Sequence, residues 1–382
     1  MVEYPSLLPR ISEIKVEMTR PSPFNPQSIK LQVLNTRTTL IISAFLQNVS
    51  HMPRLHTARF SWVQVKQEHL TLLFKSNSLH HLDLFQCYLP KSLRLPPSPI
   101  RYLTLSLRDD EKHMKPLLGH CSTNLEALDF TGQGWQAPES MKPLLFPKLQ
   151  KFKFTVTSGP TSHLDTFTSL APQLEHLEVW LQGYSFSGLS ALPARLNHLS
   201  LNQWLIEYGD FGTSPFIHLR HLHITYYVHV EGNDSFIAIV QRIFPNLASL
   251  DVEIHYSFRN IVLLLARTLP KVTQLKLSID RFPLSLLCND NALSYIAETP
   301  GGRLARLYVN VLDSQQRHME HYKSWVTHTI LRPGQGLGGP HLQEVEVAFL
   351  PKSTPPLLTS SNPRLPLWCW KRVKKEWIFN EY

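Results

Sequence analysis

One pattern occurs three times within a short stretch of the chain: PQLEHLEVW (172–180), ARLNHLSLN (194–202) and HLRHLHIT (218–225). Each copy reads L-x-x-L-x-L, with Val or Ile replacing some of the leucines. The first leucines are 22 and then 23 residues apart, at Leu174, Leu196 and Leu219. Self-similarity at a period of this length is typical of solenoids, in which each repeat packs against its neighbours. The sequence therefore predicts a solenoid.

The pattern continues on both sides of this stretch. It occurs thirteen times, beginning at Ile11, Leu55, Leu79, Ile100, Leu125, Leu149, Leu174, Leu196, Leu219, Leu247, Val272, Leu304 and Leu342. The steps run between 21 and 28 residues from Leu55 to Val272. Longer steps flank this span and contain PSPFNP (21–26), residues 313–330 and PGQGLGGP (333–340). Because insertions in repeat proteins become loops, we expect loops there.

The pattern also predicts which side chains are buried. In a strand, the fourth and sixth positions of L-x-x-L-x-L point to one face and the intervening residues to the other. Leu199 and Leu201 are thus expected in the core, with His198 and Ser200 outward. Apolar segments with helical spacing separate many of the strands, and proline often ends them: 38–53, 68–77, 163–172, 236–245 and 261–270. The predicted fold is α/β, a horseshoe-shaped solenoid with a parallel sheet on its concave face and helices on its convex face.

These residues resemble the leucine-rich repeat, and the version with helices is similar to the repeat arm of F-box/leucine-rich-repeat proteins, especially divergent fungal ones. The resemblance covers about residues 5–350. In the family motif, an Asn or Cys three residues after the last Leu hydrogen-bonds the turn, and Cys87 stands at that position after Leu84. Other units depart from the motif there, with Arg108, Gln133, Thr157, Gln182 and Trp204. We expect their turns to be held differently.

An F-box, the helical module that in such proteins binds the Skp1 adaptor of a cullin ubiquitin ligase, is not found in this sequence. Leu8-Pro9 is similar to the start of an F-box, but the first repeat, RISEIKVEM (10–18), follows at once. A first repeat without a cap would expose its apolar face to water. We therefore expect a longer gene product in which an F-box precedes Met1, with a Skp1-type adaptor as partner only in that case. The alternative is a free repeat arm.

Composition narrows the class of protein. The chain has 382 residues, of which 43% are hydrophobic and 18% charged, so it can build a large core. No apolar run approaches the roughly 20 residues that span a bilayer, and no secretory signal is recognisable. We expect a cytoplasmic or nuclear location and no membrane partner. The cysteines form no C-x-x-C pair and are interpreted as free thiols: Cys87, Cys121, Cys288 and Cys369.

Common motifs of catalysis and phosphate binding are absent from the sequence. It contains no G-x-S-x-G, no G-x-x-x-x-G-K-[ST] and no H-E-x-x-H. The glycine-rich TGQGW (131–135) and PGQGLGGP (333–340) lack the strand-to-helix setting of a phosphate-binding loop. We therefore expect a protein that is not an enzyme and has no cofactor.

The net charge of +9 would suit a nucleic-acid partner if the basic residues were clustered. The predicted register instead places both signs on the outward face of the sheet. Lys153 beside Glu178, for example, is expected to form an ion pair between neighbouring strands. Because a nucleic-acid groove should be continuously basic, a nucleic-acid partner is not favoured.

Histidines give the outward face its most distinctive feature. His176, His198 and His221 occupy the same position on three consecutive predicted strands, with His223 and Trp180 nearby. Neighbouring imidazoles could share a metal ion, but no Cys or carboxylate completes a tetrahedral set, so we expect no metal site. Aromatic residues tend to anchor protein interfaces. The predicted partner-binding residues are Tyr102, His176, Glu178, Trp180, His198, His221 and His223.

Three segments are predicted: a solenoid of about thirteen units at 1–350, a Pro/Ser-rich linker at 351–366 and a basic aromatic tail at 367–382. The tail, which contains KRVKK (371–375), is interpreted as a cap on the last repeat, with a localisation signal or nucleic-acid patch as the alternative. The favoured function is a protein-interaction module, the substrate-recognition arm of an F-box type ubiquitin-ligase subunit or a truncated relative. The alternatives are a ubiquitin-independent scaffold or inhibitor and a basic nucleic-acid-binding repeat protein.

Overall fold

A computed structural model provides the structure of the protein. It describes residues 5–17, 28–90, 92–107, 114–132, 144–156, 161–162, 171–181, 186–187, 192, 195–202, 215–228, 240, 242–256, 271–279, 304–311, 323, 327, 341–349, 367–373 and 376–381. The chain divides into two compact units, Met1–Leu196 with Gly209–Gly212, and Asn197–Tyr208 with Thr213–Tyr382.

The first unit is built on parallel strands that pair in chain order. Its strands are β1 (Glu13–Glu17), β2 (Thr57–Ser61), β3 (His81–Cys87), β4 (Tyr102–Leu107), β5 (Ala127–Gly132), β6 (Lys151–Val156), β7 (Thr161–Ser162), β8 (His176–Leu181) and β9 (Phe186–Ser187). Strands β1 to β6 and β8 lie side by side in one sheet, while the short β7 and β9 pair with each other. Its α-helices are α1 (Ser28–Leu46), α2 (Gln67–Phe74) and α3 (Met114–Cys121), and 3₁₀ helices span Pro5–Arg10 and Val49–His51.

The second unit repeats the arrangement and ends in a hairpin. Its strands are β10 (His198–Asn202), β11 (His221–Val228), β12 (Ser249–Tyr256), β13 (Gln274–Ile279), β14 (Arg306–Val311), β15 (Glu344–Phe349), β16 (Leu367–Val373) and β17 (Glu376–Glu381). Strands β10 to β15 are parallel neighbours. Strand β16 joins β15 in the antiparallel sense, and β17 pairs with β16.

Every occurrence of L-x-x-L-x-L forms a strand, and equivalent positions of successive copies are aligned. Leu82 pairs with Leu103 across β3 and β4, for instance, and Leu199 pairs with Leu222 across β10 and β11. Within each unit the coils therefore stack as parallel strands, as in leucine-rich repeats. The predicted fold class, an α/β solenoid of stacked coils with a parallel sheet, is confirmed.

The leucines of the pattern form the core. Leu199 and Leu201 are both 0% exposed, and the equivalent Leu222 and Ile224 are also buried. Fully burying a side chain of this size stabilises a fold by about 1.5–3 kcal/mol relative to leaving it exposed. Since each coil has only one apolar face, it buries that face by stacking on its neighbours.

A repeated hydrogen-bond arrangement sets the register where each strand begins. The carbonyl of the residue after the first leucine accepts two N–H groups of the next coil. The His80 carbonyl, for example, accepts from Arg101 and Tyr102 at 2.8 and 2.9 Å. Equivalent carbonyls in both units do the same: Ser12, His56, Arg101, Glu126, Gln150, Asn197, Arg220, Ala248, Thr273 and Ala305. Each coil therefore positions the start of the next strand.

The turn after the strand uses Cys87 as the family resemblance implies. Its buried thiol donates a hydrogen bond to the Phe60 carbonyl, 3.1 Å from Sγ to oxygen. Burial raises the pKa of this thiol to about 12, so it stays protonated and able to donate. Nearby, Trp62 and Gln86 have φ values of 63° and 52°, a left-handed conformation that side chains rarely adopt. The residues that depart from the motif at this position in other units lie outside the described residues.

Two of the predicted helical segments are helical in the structure. Residues 68–77 largely coincide with α2, and residues 38–53 contain the end of α1. The segment 261–270, the loops at 21–26 and 333–340, the linker at 351–366 and Cys288 lie outside the described residues, as do most of 163–172 and 313–330. Half of 236–245 is described, and Val240, Arg242 and Ile243 within it are helical. The three other cysteines are free thiols. Within the described parts of the chain, no helix is both long and apolar enough to cross a membrane.

The basic aromatic tail forms the β16–β17 hairpin at the edge of the last repeat. Trp368 and Trp370 are buried, and the Trp370 ring lies 5.0 Å from that of Phe379. Lys371 is exposed and its Nζ lies 3.1 Å from Oε1 of Glu344 on β15. The aromatic side chains thus pack in the interior while the lysine head group reaches solvent.

Leu199→Ala should destabilise the second unit. The substitution leaves a cavity in a fully buried position, and such cavities cost about 2–5 kcal/mol. Denaturant melts of the purified chain measure this loss. His218→Ala, at an exposed turn position of the same unit, is the control. An unchanged melt for Leu199→Ala would contradict the core position of this residue.

Trp368→Ala tests whether the tail contributes to stability. Because the indole is among the largest fully buried side chains, its loss should lower the free energy of unfolding by about 3–5 kcal/mol. The exposed Ile378, on the partner strand of the same hairpin, provides the control Ile378→Ala, which should have little effect. Equal melting curves for Trp368→Ala and the parent chain would show that the hairpin is not integral to the fold.

Candidate functional site

The outward face of the sheet carries two columns of side chains. The first column holds the residue that begins each strand of the pattern, and the central column holds the residue two positions later. Charges of opposite sign pair across the strands. The predicted Lys153–Glu178 pair is present at 3.0 Å between Nζ and Oε1, and similar pairs join Arg59 to Glu13, Lys276 to Asp251 and Arg306 to Glu344.

A cleft interrupts this face in the first unit, and we call it the Ala127 cleft. It has a volume of about 300 Å³ and extends over β3 to β6 and β8. Ala127 stands between Tyr102 and Lys151 in the register of the first column. Its methyl group leaves space that the larger neighbours do not fill. The outward residues that line the cleft are His81, Tyr102, Thr104, Ala127, Asp129, Lys151, Lys153 and His176.

Tyr102 forms an aromatic wall of the cleft. The residue is 44% exposed, and its ring meets that of His81 edge-on, with 6.3 Å between centroids. Its hydroxyl donates to Oε2 of Glu126 at 3.4 Å. A half-exposed tyrosine held in this way presents apolar area at low cost in conformational entropy, as at many interface anchors.

Ionisable groups in the cleft are perturbed by partial burial. Burial raises the pKa of Asp129, and the positive charge of Lys153 offsets only part of this effect. Burial alone would lower the pKa of Lys153, but the charge of Glu178 and its hydrogen bond outweigh it, so the pKa is raised. The pKa values of His81 and His176 are lowered, mainly by burial. The imidazoles are therefore neutral near pH 7.

Lys151 differs from Lys153 in having no acidic partner among the residues that the structure describes. It is exposed, and its register neighbours in the first column are Ala127 and His176. Within the described part of the chain, Lys151 forms no ion pair. Its charge is thus available at the rim of the cleft.

The second unit brings two of the predicted histidines into direct contact. His198 and His221 are register partners, and their rings stack with 6.0 Å between centroids and 25° between planes. Among the described residues, no group of three or more His, Cys, Asp or Glu side chains could hold a metal ion. The histidine pair is therefore an outward aromatic stack in this structure.

His223 belongs to a separate hydrogen-bonded group. Its Nδ1 lies 3.1 Å from the Ser200 hydroxyl, and its Nε2 lies 3.6 Å from Oε1 of Glu253. Burial lowers the pKa of His223, but the hydrogen bond to Glu253 and the charge of Asp251 outweigh it, so the pKa is raised. Ser200, His223 and Glu253 follow the order of a catalytic triad, in which a serine nucleophile contacts a histidine base that a carboxylate orients. Ser200 is only 3% exposed, however, so a substrate cannot reach its hydroxyl as the structure stands.

The predicted partner-binding residues thus fall into distinct groups. Tyr102 and His176 line the Ala127 cleft, and Glu178 holds Lys153 at its edge. Trp180 lies half-buried on β8. His198, His221 and His223 belong to the second unit. Their role in partner binding stays a prediction.

The sequence-based prediction missed Ala127, Asp129, Lys151 and His81 as residues of a common site. A signal was present in the first column, where Ala127 is the smallest side chain and follows Tyr102. The prediction considered large aromatic and ionisable residues only. A recess between large neighbours is found by looking for the small residue among them.

Asp129→Asn should stabilise the chain near pH 7. Because the folded-state pKa of Asp129 is raised above its unfolded value, the folded chain is favoured below that unfolded value and loses stability as pH rises through the folded pKa. Removing the charge avoids this loss. Thermal melts should show a higher Tm at pH 7 and a smaller difference at pH 4.

Glu175→Gln, at an exposed position outside the cleft, is the matched control and should show no such pH-dependent gain. A lower Tm for Asp129→Asn at pH 7 would mean that attraction to Lys153 outweighs the burial of the carboxylate.

Comparisons with known proteins do not assign the chain to a family. The chain matches no protein-family model, and no curated protein has significant sequence similarity to it. Among solved structures it is similar to a chain of "Crystal structure of Rad7 and Elc1 complex in yeast". That match has 15% sequence identity and a TM-score of 0.39, and it covers 72% of this chain and 76% of the other.

Proposed function

We propose that the chain is a non-enzymatic protein-interaction module and that it binds its partner through the outward face around the Ala127 cleft. The observation that carries this proposal is the half-exposed Tyr102 beside a recess on a face of rigid parallel strands. Side chains on strands keep a fixed geometry, and a pocket flanked by an aromatic residue is a common anchor site in protein interfaces.

The charge distribution supports a protein partner over a nucleic acid. In the described residues, basic side chains of the outward columns repeatedly stand beside carboxylates, as in Arg59–Glu13, Lys153–Glu178 and Lys276–Asp251. A backbone of phosphates would meet these carboxylates as well as the lysines. Continuous basic tracks, which give nucleic-acid affinity and its salt dependence, are not formed by these pairs.

The resemblance of the repeats to those of F-box proteins gives the proposal a more specific form. We place the chain as the substrate-recognition arm of a ubiquitin-ligase subunit or a relative of one. In that form the partner of the Ala127 cleft is a ligase substrate, and a Skp1-type adaptor binds an F-box outside the repeats. A ubiquitin-independent scaffold or inhibitor would use the same face without the adaptor.

Tyr102→Ala should reduce partner binding by at least about fivefold without lowering the Tm, since a central aromatic anchor contributes more than about 1 kcal/mol. The purified full chain is immobilised, exposed to cell extract and cross-linked, and bound proteins are quantified by mass spectrometry. Phe85→Ala is a matched control, because Phe85 has the same exposed fraction of 44%, lies in the same unit and is outside the cleft.

Proteins lost with Tyr102→Ala but kept with Phe85→Ala are partners of the cleft. Skp1 and a cullin that co-purify with the endogenous gene product tagged at its C-terminus, which carries any segment before Met1, would support the ligase form, and their absence there would favour the scaffold. If Tyr102→Ala and Phe85→Ala capture the same proteins in equal amounts as the parent chain, the cleft is not the binding surface. Binding to duplex DNA or RNA that falls steeply with salt would instead favour a nucleic-acid function.

A further inference from the structure

The size of the Ala127 cleft limits what can enter it. A volume of about 300 Å³ is at the lower end of the range for small-molecule sites. The cleft is open along the sheet, and its recess is one residue wide because only Ala127 separates Tyr102 from Lys151 in the first column. This space fits a single long side chain projecting from a partner segment that lies across the strands.

The charges around the recess differ in whether they are already neutralised. Lys153 is engaged by Glu178 at 3.0 Å, and it also attracts Asp129. Lys151 forms no ion pair among the described residues and stands directly beside Ala127. An incoming group that neutralises Lys151 gains an interaction that none of the described residues makes.

The opposite side of the recess is apolar. Tyr102 is 44% exposed and stands on the strand beside Ala127, while its hydroxyl is directed to Glu126. The face of the ring is therefore suited to methylene groups. An occupant should combine an aliphatic part next to Tyr102 with a negative group next to Lys151.

We propose that the Ala127 cleft binds an acidic side chain of the partner protein, with its carboxylate on Lys151 and its methylene groups against the Tyr102 ring. This inference rests on the proposed function of the same face. It assigns Lys151 as the residue that selects an acidic partner segment and Tyr102 as the apolar wall.

Asp129 opposes such a ligand and gives a second way to test it. It lies in the central column next to Lys153, and both residues line the cleft. Its negative charge should weaken binding of an acidic group at the neighbouring position. Asp129→Asn should therefore strengthen binding, whereas Lys151→Glu should weaken it.

The test uses the full chain and a random linear peptide library displayed on phage. The library is selected on the parent chain alone, with no counter-selection against any variant. Selected sequences should share one Asp or Glu, with Glu favoured for its longer stem. Synthetic copies are then titrated by fluorescence anisotropy at low and moderate salt.

Lys151→Glu should raise the Kd at least about tenfold, as expected for a charge-assisted contact. Tyr102→Ala should raise it as well, and Asp129→Asn should lower it. Lys148→Glu is the matched control, because this exposed lysine makes the same charge change in the same unit but lies outside the cleft. Replacing the peptide acid by Lys should restore binding to the Lys151→Glu chain. Thermal melts confirm that each variant is folded.

The outcomes separate the two proposals. Peptides whose binding depends on Tyr102 but not on Lys151, or that share no acidic residue, would overturn the acidic-ligand inference and leave the proposed function in place. Peptides that bind independently of both Tyr102 and Lys151, or the recovery of no binding peptide, would count against the cleft as a protein-binding surface and so against both.

Discussion

The described architecture depends on the backbone carbonyl that follows the first leucine of each repeat. That carbonyl accepts two N–H groups from the next coil, as the Gln150 carbonyl does from Glu175 and His176 at 2.9 Å each. The arrangement fixes the start of each strand relative to its neighbour, and a slip of one residue would turn every leucine outward. The Gln343 carbonyl accepts from Arg372 of β16 in turn, so the antiparallel hairpin continues the same arrangement.

This constraint explains why so much of the fold could be predicted. A leucine period of 21 to 28 residues identifies the coils, and a side-chain period of two within each strand identifies the buried face. The cross-strand pair Lys153–Glu178 followed from register alone and is present. The turns were less predictable, because the left-handed backbone at Trp62 and Gln86 depends on contacts with adjacent coils and these residue types do not indicate it.

From the sequence, the candidate site could be assigned to the outward face of the sheet but not to a particular cleft on it. Register gives the column to which Tyr102 or His176 belongs, but the depth of a cleft depends on the side-chain volumes around it. At Ala127 the short methyl side chain creates the space, and no reactive group is needed for it. The sequence likewise predicted the positions of the histidines but not their interactions. In the structure, His198 stacks on His221, whereas His223 contacts Ser200 and Glu253. These differences arise from neighbouring residues that share no sequence pattern.

The charges around the Ala127 cleft differ in whether they are paired, not in residue type. Lys151 and Lys153 are two residues apart on β6 and chemically identical, yet Glu178 neutralises Lys153 and leaves Lys151 without an acidic partner among the described residues. Asp129 adds a half-buried carboxylate whose raised pKa reflects a cost to the folded state. Residues that reduce stability while shaping a cleft are common at binding sites for ligands or partner proteins. The strands that stack through their backbones thus hold these side chains in fixed register, and we propose that the few without an opposite charge determine what the surface selects.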